Sequence, residues 1–437
     1  MCKIHLVNES VKFLKVFIAV FICKVLYFIG KRIGRGSSLP GKVVLKIFPG
    51  ILGMLKLPET VIAVTGSNGK TSASELIVHV LEMNGKVVGW NHEGSNQTEG
   101  IATLLLRMAS FSGIVMCDVI VMECDERYAK NIFENVHPTI LLITNLCRDQ
   151  LTRNGHPEFI EDCLLTAINA AGDGVQLVLN ADDPYVSALA LNTKTNVLYF
   201  GLSSSDDCTQ NTGVYDDGAF CPVCKSRMVY SYRITGHLGD YKCDNCGLKR
   251  NNPDVDIGSL GDSIAGSYNI CSAVAVAGTV GIKESNAVSA LDGYELKGGR
   301  TVKLTLGERK GLLLISKHEN SFAYDNSLSW IIKQKKPCTV IILVDSISRK
   351  YYTSETSWLW DIDFDLLTDE NIKKIVLAGR YVNELAARFA MSAVSQEKIV
   401  NIADLSGLRE LVEKSTSGDI YVLTCFSDKK KLLDEFS

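Results

Sequence analysis

The stretch Val61–Ser72, VIAVTGSNGKTS, constrains the fold more than any other part of the chain. An apolar run ends in a glycine-punctuated turn that hands Lys70 and Thr71 to a helix start. A strand, a tight loop and a helix in that order imply a parallel α/β sheet with a nucleotide phosphate at the carboxyl ends of its strands. Gly66 and Gly69 let the backbone around Ser67 and Asn68 turn its N–H groups inward. Lys70 supplies a mobile cation, and Thr71 a hydroxyl for Mg²⁺. Val64 stands where the longer form of this loop has its first glycine, leaving the shorter TGxNGK[ST] form. A plain glycine turn is the alternative, and Lys70 with Thr71 argues against it.

From residue 60 onward, short apolar runs alternate with amphipathic stretches. Strands are expected at Val61–Thr65, Lys86–Trp90, Asp118–Glu123, Thr139–Thr144, Gln176–Asn180 and Val197–Phe200, with helices at Ser72–Met83 and Pro157–Ala171 among the intervals. A second series begins near Thr301, with strands at Leu312–Ile315, Thr339–Val344, Lys374–Ala378 and Ile420–Thr424. It reads as a smaller Rossmann-like α/β domain, and Lys297–Arg300, KGGR, marks the junction. The expected layout is an N-terminal helix over 1–40, an ATP-binding domain over 41–297 and a C-terminal domain over 298–437. A chain of 437 residues can hold that many cores. A net charge of −3, with basic residues read as spread out, gives no electrostatic case for nucleic acid.

Val11–Ile29 is strongly apolar and is followed by Lys31, Arg32 and Arg35. Lys12, Lys15 and Lys24 interrupt it, and its longest unbroken part, Val16–Cys23, falls short of the roughly 20 residues that span a bilayer. A helix that packs on the body or lies in the membrane interface is expected. A core helix and a signal anchor are the alternatives.

Fourteen cysteines in so large a chain fit reduced thiols and metal ligands better than a secreted disulfide framework, which implies a cytosolic setting. Cys221 and Cys224 form one CxxC, Cys243 and Cys246 another, with eighteen residues between the pairs. Two tight knuckles would bring four thiolates into a closed tetrahedral shell. That describes a structural zinc ribbon, within 218–250, with no open position for a substrate. A redox dithiol is the competing reading. Cys208 reads as loop and His237 as a polar ribbon residue.

Glu123 ends the apolar run DVIVME and is followed by Asp125 and Glu126, so it is expected to face the loop of Lys70 and to bind Mg²⁺ together with Thr71. A solvated acidic strand end is the alternative. Asn145–Gln150 and Asn180–Pro184 follow strands in the same way, at the ligand-binding edge. Asn269 is a candidate for the adenine edge, or equally a structural cap.

The glycine loop resembles that of the Mur ligase and folylpolyglutamate synthetase superfamily. TGSNGKTS, NHEGSN (Asn91–Asn96), ECDE (Glu123–Glu126), TNLCRDQLTR (Thr144–Arg153), LNADDP (Leu179–Pro184), the four-cysteine ribbon and TSWLWDIDF (Thr356–Phe364) occur in order, and together they resemble the MurT family. The resemblance implies an ATP- and Mg²⁺-dependent ligase subunit that phosphorylates the α-carboxylate of D-glutamate in the lipid II stem peptide. A GatD-type glutamine amidotransferase, paired with it as a heterodimer, would supply ammonia. The setting would be cytoplasmic, at the inner face of the membrane. Lys70 and Glu123 would be catalytic, and Arg300 would join Gly66–Thr71 and Asn269 at the nucleotide. Glu355 stands where the family has an aspartate that completes the partner glutaminase's Cys–His pair. Its extra methylene moves the carboxylate by about 1.5 Å. The loop Asp345–Ser354 and the stretch Lys317–Asp325 also depart from the family pattern. A stand-alone amino-acid ligase and a non-catalytic paralogue remain alternatives.

Overall fold

The structure is a computed structural model describing residues 2–436, apart from 33, 35, 93–94, 151–153, 204–212, 259, 261–262, 298–300 and 347–355; for residues 2–9 it describes the backbone alone. The chain divides into two compact units. One comprises 1–146, 156–208 and 218–296, the other 147–155, 209–217 and 297–437.

The first unit opens with α1 (Cys2–Arg32) and α2 (Leu39–Ile47), then winds through β1 (Thr60–Thr65), α3 (Lys70–Met83), β2 (Val88–Trp90), α4 (Thr98–Met108), β3 (Val119–Glu123), α5 (Ala129–Phe133), β4 (Ile140–Ile143), α6 (Pro157–Ala171), β5 (Gln176–Asn180), α7 (Pro184–Leu189) and β6 (Val197–Phe200). The six strands form one parallel sheet in the order β2-β3-β1-β4-β5-β6. Both faces of the central strands are buried, which is why β1, β3 and β4 read as continuous apolar runs rather than alternating ones. The antiparallel hairpin of β7 (Val229–Thr235) and β8 (Leu238–Lys242) follows, and then α8 (Ile264–Thr279) and α9 (Glu284–Leu291).

α1 is one continuous helix rather than a broken apolar run. Ser10–Arg32 is long and apolar enough to cross a membrane by length and composition, and is the one such stretch among the described residues. One stripe of it is nonetheless core. Val16, Ala19, Val20 and Cys23, at helical spacing, pack with Val44, Leu52, Ile101 and Leu105.

The second unit holds β9 (Thr301–Leu306), β10 (Arg309–Ser316), α10 (Ser321–Lys333), β11 (Cys338–Leu343), β12 (Ile372–Ala378), α11 (Val382–Ala390), β13 (Ile399–Ile402), α12 (Leu408–Ser415), β14 (Asp419–Cys425) and α13 (Lys429–Phe436). Its sheet runs β13-β12-β11-β14-β10-β9, parallel except for the edge strand β9. That edge corrects the simple alternation expected from the sequence. Leu306 pairs with Arg309 across a two-residue turn whose first residue, Gly307, has φ +60°, and this turn folds β9 back on β10. TSWLWDIDF forms two short 3₁₀ turns that bury Trp358, Leu359, Ile362 and Phe364 and leave Trp360 exposed.

Candidate active site and metal centre

The glycine loop is held from below by the end of β4. Ser67 N–H donates to the Asn145 carbonyl (2.8 Å) and Asn68 N–H to Asn145 Oδ1 (2.9 Å), while Thr144 Oγ1 (2.7 Å) and Asn145 Nδ2 (3.1 Å) donate to the Asn68 carbonyl. Gly66 has φ +121°, and a Cβ there would collide with Thr144 Oγ1. Gly69, φ +84°, is the N-cap of α3, and a Cβ there would collide with Asn269 Oδ1. The loop therefore reaches its shape only with glycine at both positions, and Asn269 sits against it. Thr71 is exposed in the first turn of α3.

Lys70 is 5% exposed, and its Nζ donates to the carbonyls of Gly66 and Ser67 and to Glu126 Oε2 (2.9 Å). Its carboxylate partner is thus Glu126, the third acid of the ECDE segment. Glu123 lies beside the loop on the neighbouring strand, in register with Val64. It is clamped by Asn91, which accepts from its N–H and donates to its carbonyl (both 2.9 Å), and by Asn96, whose Nδ2 donates to Oε1 (3.1 Å). Burial, with Glu123 and Asp125 alongside, pushes the Cys124 thiol far up. A hydroxyl and a carboxylate are oxygen donors that suit a hard divalent cation, and the exposed Thr71 and the buried Glu123 are the side chains that would hold it.

The LNADDP segment supports rather than lines the site. Asp183 caps α7 through the N–H groups of Tyr185 (2.9 Å) and Val186 (3.2 Å), and accepts from Leu146 N–H (2.8 Å). Asn180 Nδ2 donates to the Thr144 carbonyl (3.0 Å). Asp182, fully buried, accepts from Arg250 Nε (2.6 Å), Tyr268 Oη (2.8 Å) and Leu202 N–H (2.8 Å). Thr144, Asn145 and Glu126 are thus loop-holding residues that the sequence motifs contained without revealing their part.

Cys221, Cys224, Cys243 and Cys246 converge, their Sγ atoms all within 4.8 Å of one another. Each pair sits on a knuckle of the same design. Cys221 N–H donates to the Ser226 carbonyl (2.8 Å) and Lys225, φ +61°, turns the chain; Cys243 N–H donates to the Leu248 carbonyl (2.7 Å) and Gly247, φ +79°, does the same. Hydrogen bonds led by that from Asn245 pull the Cys224 thiol down to about 5, whereas burial pushes Cys221 up to about 12. A bound divalent cation would hold all four as thiolates, and four soft sulfurs at this spacing fit zinc. His237 faces Asp183, with Nε2 3.3 Å from Oδ2, rather than the sulfurs; Cys208 lies outside the described residues.

Two family models match the chain in succession: Mur ligase middle domain over residues 64–246 and MurT ligase C-terminal over 318–428. The chain is 29% identical over 423 residues to the lipid II isoglutaminyl synthase (glutamine-hydrolyzing) subunit MurT of Streptococcus pneumoniae, covering 92% of each chain. It is 27% identical over 403 residues to that of Staphylococcus aureus strain COL, covering 87% of this chain and 89% of the relative. It belongs to the MurT branch of the Mur ligase superfamily. In fold it is similar to a pseudomurein peptide ligase type C from Methanothermus fervidus, with a TM-score of 0.69 at 19% identity over 89% of this chain and 81% of that one.

Two residues that the MurT resemblance singles out, Glu355 and Arg300, lie outside the described residues. The second unit of this MurT chain gathers other polar groups. Asp149, from the TNLCRDQLTR segment, is 4% exposed and accepts from Asn320 Nδ2 (2.8 Å) and Lys317 Nζ (3.3 Å). The KHENSFAYD stretch therefore has a defined task despite its unusual sequence. Asp325, at its end, accepts from Asp363 N–H (2.8 Å), and burial next to Asp363, Asp361 and Asp217 pushes its carboxyl up to about 7.

Proposed function

We propose that this chain is the synthase subunit of a lipid II isoglutaminyl synthase. In this reading it is an ATP-dependent ligase that converts the α-carboxylate of D-glutamate in the stem peptide to its amide. The observation that carries the reading is a glycine loop whose Lys70 is held by Glu126, with Glu123 on the neighbouring strand, in a chain matched along its length by MurT proteins.

A carboxylate repels nucleophiles until one of its oxygens becomes a leaving group. The substrate oxygen attacks the γ-phosphorus of ATP, ADP departs, and an acyl phosphate forms. Ammonia then attacks the carbonyl carbon, phosphate leaves and a proton is lost. Mg²⁺, held by Thr71 and Glu123, would offset the charge of the phosphates. Lys70 exchanges Glu126 for the transferring phosphoryl group, and the loop amides orient it. Ammonia comes from a GatD-type glutaminase, with Glu355 completing that partner's catalytic pair.

The test is amidation of lipid II by the co-purified pair with glutamine and ATP. Lys70→Ala should lower product formation at least about a thousandfold. Absence of any glutamine-dependent product while ATP still binds refutes the reading. Glu355→Ala should lose glutamine turnover and keep amidation from free ammonia; unchanged glutamine use removes Glu355 from the mechanism.

A further inference from the structure

α1 carries more apolar surface than its seat in the fold covers. Opposite its buried stripe, Phe13, Leu14, Phe17, Ile18, Phe21 and Phe28 are between 37% and 61% exposed. The patch continues onto the loop before β3. The ring of Phe111 lies 5.1 Å from that of Phe17, and Ile114 and Met116 beyond it are also exposed. A contiguous apolar face of this kind on a soluble chain marks an interaction site.

Charge identifies the occupant. Between Ser10 and Leu57 the chain has nine Lys or Arg and no Asp or Glu, although its net charge is −3. The basic residues are therefore segregated, which corrects the even spread assumed from composition. A second copy docking on this face would oppose cation to cation; a surface of anionic lipid would complement it. Lys12, Lys15, Lys31 and Arg32 are exposed beside the phenyl rings, and the Arg32 guanidinium lies over Phe28, 3.8 Å from the ring centre. Such side chains reach headgroup phosphates while their stems stay apolar. The buried stripe excludes a span, because crossing a bilayer would pull Val16, Ala19, Val20 and Cys23 out of the core and place Lys24 in hydrocarbon.

We propose that the outer face of α1 and the 111–116 loop lie in the headgroup–acyl boundary of an anionic bilayer, with the helix parallel to the membrane plane. This surface is independent of the nucleotide loop, so its test is independent of amidation. The full chain is sedimented with phosphatidylcholine vesicles, with or without phosphatidylglycerol. Partition should rise at least about tenfold with the anionic lipid and weaken with salt. The triple variant Phe13→Glu, Phe17→Glu, Phe21→Glu should lose vesicle binding while keeping its thermal midpoint and ATP affinity. Tryptophans placed at Phe17 and Phe28 should both be quenched by shallow brominated lipids. The proposal is overturned by partition indifferent to lipid charge, by binding that survives the triple variant, by one tryptophan quenched at the bilayer centre, or by lipid-free dimers that the triple variant dissolves.

Discussion

At the scale of single residues, the loop depends on contacts that tolerate little change. Gly69→Ala would strain a φ of +84° and drive a methyl into Asn269, so ATP affinity should fall at least about tenfold in a titration while the far-ultraviolet spectrum is unchanged. The Lys70–Glu126 pair is nearly dry, and removing one charge strands the other. Glu126→Gln should cost about 2–4 kcal/mol in urea unfolding without nucleotide, and distinctly less with saturating Mg-ATP, when phosphate takes over the carboxylate's place. The glycine turn and the helix start at Lys70 were legible in the sequence, because Gly66 and Gly69 occupy positions of positive φ that other residues rarely adopt. Glu126 was not legible as the partner of Lys70. Three acids stand within four residues, and which one turns toward the lysine is decided by the Asn91 and Asn96 clamp on Glu123.

At the scale of elements, the parallel strands of the first unit declared themselves as apolar runs between glycine turns. Gln176–Asn180 and Val197–Phe200 coincide with the expected limits. β9 and β13 went unseen: each lies at a sheet edge, with only Leu304 and Leu306 buried in β9 and no residue fully buried in β13, so neither reads as an apolar run. The ribbon was legible from cysteine spacing alone, but its anchorage was not. Arg250, at the end of the ribbon segment, reaches back to Asp182 just after β5 and thereby ties the insertion to the sheet. Arg250→Ala leaves that buried carboxylate unpaired and should cost about 3–5 kcal/mol, read as a lower thermal midpoint. Elemental analysis of the full chain should give roughly one equivalent of zinc, and Cys221→Ser should lose it and aggregate more.

At the scale of the whole molecule, the two units are not consecutive lengths of chain. Segments 147–155 and 209–217 belong with the C-terminal unit, where Arg148 pairs with Asp217 (2.8 Å) and Gln150 N–H donates to the Glu319 carbonyl (2.9 Å). No composition shift announces such excursions, because each is a few polar residues long. The acid-rich centre of that unit also makes its stability depend on pH. The folded carboxyl of Asp325, at about 7, lies above the unfolded value of about 4, so the native state keeps a proton that the unfolded chain releases. Its contribution is complete below about pH 4 and is lost as pH rises toward 7. Asp325→Asn can still accept from Asp363 N–H without carrying charge. It should flatten this slope and add roughly 1–3 kcal/mol at pH 8, seen by comparing urea midpoints at pH 5 and 8.

The engagement of Lys70 by Glu126 reaches beyond stability. Cytosol is crowded with small oxyanions, and an idle ammonium at the mouth of such a loop would be occupied by whichever arrived first. With an internal carboxylate as understudy, only a visitor bearing several phosphate groups and its own counter-ion brings enough attraction to displace it. A resting site paired in this way is expected to bind inorganic phosphate and sulfate more weakly than Glu126→Gln does, which an anion titration of the two proteins checks.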